Sequence, residues 1–125
     1  MKNIQIFLFA TIILTAIISC EDKDDIITNS CNVSDPTENL EWLKEIKTDL
    51  EESSSGQSGE IYISQAKYNN NTLFIVGNCC AACNSIMPVY NCKGEELGYI
   101  GDTNFDFDLL ENDVIIWKPE NFVCN

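Results

Sequence analysis

Apolar positions along this chain change their spacing twice. Ile4 to Ile18 is a run of fifteen mostly apolar residues, whereas beyond Asp35 the apolar positions become periodic. Leu40, Leu43, Ile46 and Leu50 recur at three- and four-residue steps with Trp42 alongside, which places one apolar stripe on a helix predicted from about Pro36 to Glu51. Its start is marked by Asp35 as the cap, Pro36 at the first helical position and Glu38 three residues after the cap. Trp42 flanks the stripe, and a tryptophan so placed is read as packing against a sheet in preference to an open ligand platform. The run from Ser53 to Gly59 breaks the period and reads as a loop.

Downstream the period shortens. Glu60 to Tyr68 is rich in β-branched and aromatic residues, Asn69-Asn70-Asn71 is turn chemistry, and Thr72 to Val76 is a second, more apolar strand, which together make a hairpin. Met87 to Cys92 and Glu96 to Ile100 form a second pair around Lys93-Gly94, where glycine supplies the positive φ of a tight turn. Val114 to Trp117 is a fifth strand closed off by Pro119, and Phe105 to Leu110 is either a short helix or an irregular crossover. The expected fold class is α+β: one amino-terminal helix packed on a mostly antiparallel sheet of four or five strands.

Charge removes whole classes of function from this picture. The 125 residues carry 20 acids against seven lysines, with no arginine and no histidine, for a net charge of −13. Phosphate backbones are held by clustered Lys and Arg, so nucleic acid is excluded as a partner class, and docking on anionic headgroups is disfavoured for the same reason. Without histidine the commonest general base and the commonest metal ligand are both missing. A serine nucleophile has no imidazole to activate it. The expectation is a non-enzymatic protein that needs no cofactor.

The first apolar run has a different meaning from the later stripes. One positive charge at Lys2, the run itself and the small Ser19 before Cys20 follow the layout of an export signal. A membrane-spanning helix needs about 20 apolar residues, and Glu21-Asp22-Lys23-Asp24-Asp25 is too charged to extend the run, so a transmembrane anchor is the weaker reading. Ile17-Ile18-Ser19-Cys20 resembles the bacterial lipobox. That resemblance implies cleavage before Cys20, diacylglycerol on the Cys20 sulfur and acylation of the new amino terminus; an ordinary secretory signal ending near a cysteine is the competing reading. Residues 1–19 would then be a lipoprotein signal peptide, 20–30 a lipidated flexible tether reaching roughly 15–20 Å, and 31–125 a single small cysteine-rich domain. The segment Glu21 to Asp25 resembles the lysine-plus-acid export tags of surface lipoproteins in Bacteroidota-type Gram-negative bacteria, which implies outer-membrane attachment through Cys20 with the domain on the cell surface, the periplasmic face being the alternative.

Setting Cys20 aside leaves Cys31, Cys79, Cys80, Cys83, Cys92 and Cys124, an even number. In an oxidising envelope compartment they read as three disulfides that compensate for a small core. Adjacent Cys79 and Cys80 would point to opposite sides of an extended backbone, so they serve different partners. Cys83–Cys92 is the first pairing expected, leaving Cys31 and Cys124 for Cys79 and Cys80 in one order or the other. Cys80-Ala81-Ala82-Cys83 also has the spacing of a redox dithiol, although too few residues precede Pro88 for the helix that a thioredoxin-like site uses. A zinc site from Cys79, Cys80, Cys83 and Cys92 is chemically possible but is outweighed by the oxidising compartment.

Two acidic clusters complete the candidate chemistry. Asp102, Asn104, Asp106, Asp108 and Asp113 are spaced like an oxygen-rich calcium loop, yet Phe107 stands where the EF-hand needs glycine and Asp113 where it uses a bidentate glutamate. An edge with Phe105, Phe107 and Leu109 facing alternately inward explains the same pattern. Glu95-Glu96 fails as an acid/base pair because neighbouring strand residues face opposite ways. No catalytic and no metal-ligating residue is therefore assigned.

Asp35-Pro36, Glu38-Asn39-Leu40, Trp42-Leu43-Lys44, the Cys79-Cys80 doublet, Tyr90 two residues before Cys92, Gly94 and Cys124 together resemble a family of small uncharacterised Bacteroidota lipoprotein domains over most of residues 31–125. The resemblance implies a fold and a location but no activity. The functional expectation is a lipid-anchored envelope or cell-surface interaction module for a protein or other extracellular partner. A membrane-anchored inhibitor of a protease or lysozyme is the alternative, its acidity matched to a basic enzyme surface, and a thiol oxidoreductase using Cys80 and Cys83 is the enzyme-class rival.

Overall fold

Asparagine and glycine punctuate the apolar pattern, and at two such points, Asn69-Asn70 and Gly94, the chain turns to lay one strand beside the last. The computed structural model describes residues 30–103 and 105–125, so the predicted signal peptide, Cys20 and almost all of the tether lie outside the described residues. Five strands, β1 (Ile61–Tyr68), β2 (Asn71–Asn78), β3 (Pro88–Tyr90), β4 (Glu96–Tyr99) and β5 (Glu111–Trp117), form one sheet in the order β4-β3-β2-β1-β5. Every neighbouring pair is antiparallel. With the helices that precede it, this sheet makes an α+β fold, as the pattern predicted.

The β1–β2 hairpin shows how directly local chemistry acts. Tyr68 stands opposite Asn71, which leaves only Asn69 and Asn70 in the turn, at φ 49° and 64°. Two positive-φ residues are what a type I′ turn requires, and asparagine tolerates that region better than other side chains. At the next hairpin Gly94 sits at φ +80°, and a Cβ there would lie 2.6 Å from the Trp42 ring. Glycine is needed twice over, for its backbone and for its lack of bulk.

The single long helix expected from Pro36 to Glu51 is broken into α1 (Pro36–Asn39) and α2 (Glu41–Glu52). Leu40, at φ −98° and ψ 108°, is the extended residue between them. Asp35 does not cap through its side chain; it adopts a left-handed φ of 46°, and its carboxylate accepts a hydrogen bond from the Thr37 hydroxyl at 2.9 Å. Glu38 likewise reaches forward, not back. It pairs with Lys47 and, at 3.6 Å, with Lys44, tying α1 to α2 across the break. Lys47 beside it holds the Glu38 carboxyl below the usual range, and the same contact raises Lys47.

The serine-rich stretch read as a loop contains a further short helix, α3 (Ser54–Ser58). The Ser53 hydroxyl accepts from the Gly56 N–H at 3.1 Å, and Gly59 ends the helix at φ +75°. Propensity argued against a helix here, but capping at both ends was enough for five residues.

Each face of the sheet carries its own apolar cluster. On one, Leu43 of α2 packs with Ile63 and Phe74, all fully buried, with Leu40, Ile46 and Leu50 around them. Trp42 meets Phe74 edge-on at 5.5 Å and Tyr90 at 5.6 Å, and its indole N–H donates to the Cys92 carbonyl at 3.3 Å. It is a core residue. On the other face, Ala66, Leu73, Ile75 and Val89 are covered by Ile100 and Phe105 of the β4–β5 crossover. Each large apolar side chain buried this way contributes about 1.5–3 kcal/mol.

That crossover does not alternate as expected. Phe105 is buried but Leu109 is 52% exposed, because residues Phe107–Leu109 wind into a 3-10 turn. The Asp106 carboxylate accepts from the Asp108 N–H at 3.1 Å, and the Leu109 N–H returns to the Asp106 carbonyl. Asn104 and the side chain of Phe107 lie outside the described set.

Six cysteines form three disulfides, Cys31–Cys92, Cys79–Cys124 and Cys80–Cys83. The doublet serves two different partners, as alternation required, and Cys79–Cys124 is one of the two orders left open. Cys83–Cys92 is not formed. Helix α1 and its lead-in bring Cys31 beside the Trp42 cluster and to Cys92, while the turn after Cys80 folds Cys83 back onto it. The two long closures, separated by 61 and 45 residues, are each worth about 4 kcal/mol in the chain-entropy model and the three-residue closure about 2 kcal/mol.

Candidate functional site: the stapled loop between β2 and β3

β2 leaves the sheet after Asn78 and the chain returns only at Pro88. The intervening loop, Cys79 to Met87, is anchored at its base. The Cys79 N–H donates to the Glu60 carbonyl at 2.8 Å, extending the β1–β2 ladder by one rung, and its sulfur pairs with Cys124. The carboxy-terminal segment is itself seated on the α3–β1 corner: Val123 N–H donates to the Gly59 carbonyl at 3.0 Å, and the Asn121 amide donates to the Gln57 carbonyl at 2.7 Å. At the other end the Met87 carbonyl accepts from the Ile100 N–H at 2.9 Å.

Above this base the loop folds on itself. The Cys80 N–H donates to the Asn78 side-chain oxygen at 2.7 Å, a local turn of the kind asparagine favours. The Cys83 N–H then donates to the Cys80 carbonyl at 3.2 Å, and the disulfide closes the same turn with Cα atoms 5.3 Å apart. Every residue from Ala81 to Ile86 is exposed, Ile86 by 70%. Ordering a loop of this length costs entropy that exposed residues do not recover; here covalent closure supplies the order.

The loop also differs electrically from the rest of the chain. No residue from Tyr68 to Cys92 is charged, although 22% of the whole chain is. Sequence reasoning attended to the cysteines and missed this gap, which was readable in the composition. Helix α2 by contrast presents Glu41, Lys44, Glu45, Asp49 and Glu52 to solvent.

The other candidate clusters are taken up locally. Cys79, Cys80, Cys83 and Cys92 are divided among three disulfides, which rules out a shared metal in this state. Among the described residues no three of Asp, Glu and Cys converge as metal ligands. Asp102 accepts from the Thr103 hydroxyl at 3.1 Å. Glu95 accepts from the Asn91 amide at 2.6 Å, whereas Glu96 lies beside Tyr90, so the two acids work separately. Burial first, and the Glu96 charge second, raise Tyr90 above the ordinary tyrosine value; burial and then Asp113 do the same for Tyr62. Two open grooves of about 480 and 550 Å³ lie against Tyr68 and Phe105 and against Trp117 and Pro119 respectively.

The described chain thus defines a class: a three-disulfide α+β domain that presents one stapled, uncharged loop. No family model matches the sequence, no curated protein is similar to it, and no solved structure matches its fold.

Proposed function

We propose that this chain is a lipid-anchored envelope protein, held at the outer membrane through Cys20 and facing the cell exterior, and that it acts as a non-enzymatic interaction module. The contact surface in this reading is the loop from Cys79 to Met87. The observation that supports it most is that two of the three disulfides hold an uncharged loop whose tip, from Ala81 to Ile86, contributes to neither apolar cluster of the core. Preorganising a loop lowers the entropy lost on binding. The absence of charge lowers the desolvation cost at the centre of a contact, while the surrounding acidity would select a neutral or basic partner.

The inhibitor reading uses the same loop and differs only in what it meets, a basic hydrolase cleft. Chemical cross-linking on intact cells, followed by identification of the captured protein, tests both. The expected result is one dominant partner with the unaltered chain and strong loss of that capture with Ile86→Asp; a hydrolase as that partner selects the inhibitor reading, and equal capture by both forms refutes the loop as the contact. Cys20→Ser should leave a folded protein that no longer fractionates with membranes. Continued membrane attachment of that variant contradicts the lipid anchor.

A further inference from the structure

We propose that Cys80–Cys83 is a thiol-exchange site, reduced by an exported dithiol and re-formed by an exported disulfide without unfolding the domain, while Cys31–Cys92 and Cys79–Cys124 stay closed. The proposal goes beyond the binding reading and stands whether or not the loop meets a partner.

Five observations converge on it. Cys80–Cys83 spans three residues where the others span 61 and 45, so opening it frees only a turn and restores little chain entropy. Cys83 is exposed and Cys80 half-buried, whereas Cys31 and Cys92 both pack against the Trp42 cluster; Cys79–Cys124 is exposed to a similar degree, and what sets it apart is its long span. Two hydrogen bonds hold the turn in addition to the covalent link, Cys83 N–H to the Cys80 carbonyl and Cys80 N–H to Asn78. With Cα atoms 5.3 Å apart, inside the range disulfides need, the reduced pair remains poised to close again. Finally, a thiolate is an anion approaching a chain of net charge −13, and this loop carries no carboxylate to repel it.

The exchange runs in two steps. A thiolate of the external dithiol attacks the exposed Cys83 Sγ; the Cys80–Cys83 bond breaks, and Cys80 leaves as a thiolate and takes up a proton. The second thiol of the reductant loses its proton, attacks its own sulfur in the mixed disulfide and expels Cys83, which is protonated in turn. Two electrons pass from the external dithiol to the loop, leaving the reductant as a disulfide and the loop as two thiols. The oxidised reductant, or any exported disulfide of higher potential, reverses the sequence.

The test is graded dithiothreitol treatment of the full chain in detergent, quenched by alkylation and read peptide by peptide, so that each cysteine is scored separately. Cys80 and Cys83 should become half-labelled at a reductant concentration about tenfold or more below that required by the other four, with an unchanged far-ultraviolet dichroism spectrum. A smaller separation, a reversed order or loss of structure at that first step overturns the proposal. An independent readout uses Cys80→Ser, which leaves Cys83 as a free thiol. Oxidised glutathione should add one glutathione to Cys83 in a folded protein, and failure to form that adduct overturns the proposal as well.

Discussion

Helix α2 and the β2–β3 loop solve the problem of ordering a chain in opposite ways. α2 is ordered by what it buries: Leu43 disappears against Ile63 and Phe74, while its charged outer face stays in water. The loop buries almost nothing beyond its base and is ordered covalently, by Cys79–Cys124 below and Cys80–Cys83 within. A segment held by burial is committed to the core. One held by covalent bonds keeps its side chains free for another molecule, and it can be altered with little effect on the rest.

That contrast orders the consequences of mutation. Phe74→Ala removes the side chain that both Trp42 and Leu43 pack upon and should cost about 3–5 kcal/mol, read as a fall in the urea midpoint with an unchanged slope. Replacing both Cys31 and Cys92 by serine should cost about 4 kcal/mol, whereas the same change at Cys80 and Cys83 should cost about 2 kcal/mol or less. Equal losses from the two pairs would erase the distinction between core staple and loop staple.

The smallest expected effect is a pH dependence set by two half-buried tyrosines. Burial chiefly, and then Glu96, hold the Tyr90 phenol above its ordinary value of 10.0. The folded chain therefore keeps a proton that the unfolded chain has already lost, and stability falls as pH rises from about 10 through the folded value. Tyr90→Phe should flatten that alkaline decline, measured as urea midpoints between about pH 9 and pH 12. Tyr62 is shifted the same way, so a residual slope should remain.

Much of the buried half was legible in the sequence, because it rests on periodicity. The α2 stripe, the β1–β2 hairpin and its asparagine turn, the Gly94 turn and the core role of Trp42 all follow from spacing and local backbone preference. The misses occurred where tertiary partners decided. Asp35 and Glu38 satisfied the capping pattern, yet Thr37 and Lys47 drew their carboxylates elsewhere and Leu40 broke the helix. Cys83–Cys92 looked natural by proximity along the chain, but pairing follows position in space: the turn at Cys80 folds Cys83 back onto Cys80, and Cys92 pairs with Cys31. The stapled loop was half visible: its cysteines were counted, while the uncharged stretch around them was passed over because no periodicity marks it.

In the proposed reading, binding belongs to the loop and stability to the helix side. Its most direct test is site-specific photo-cross-linking on intact cells, with the photoreactive residue placed in turn at Ile86 on the loop and at Glu45 on the exposed face of α2. Position 86 should give one defined adduct and position 45 none of that mass. The same adduct from both positions, or from position 45 alone, would contradict the reading.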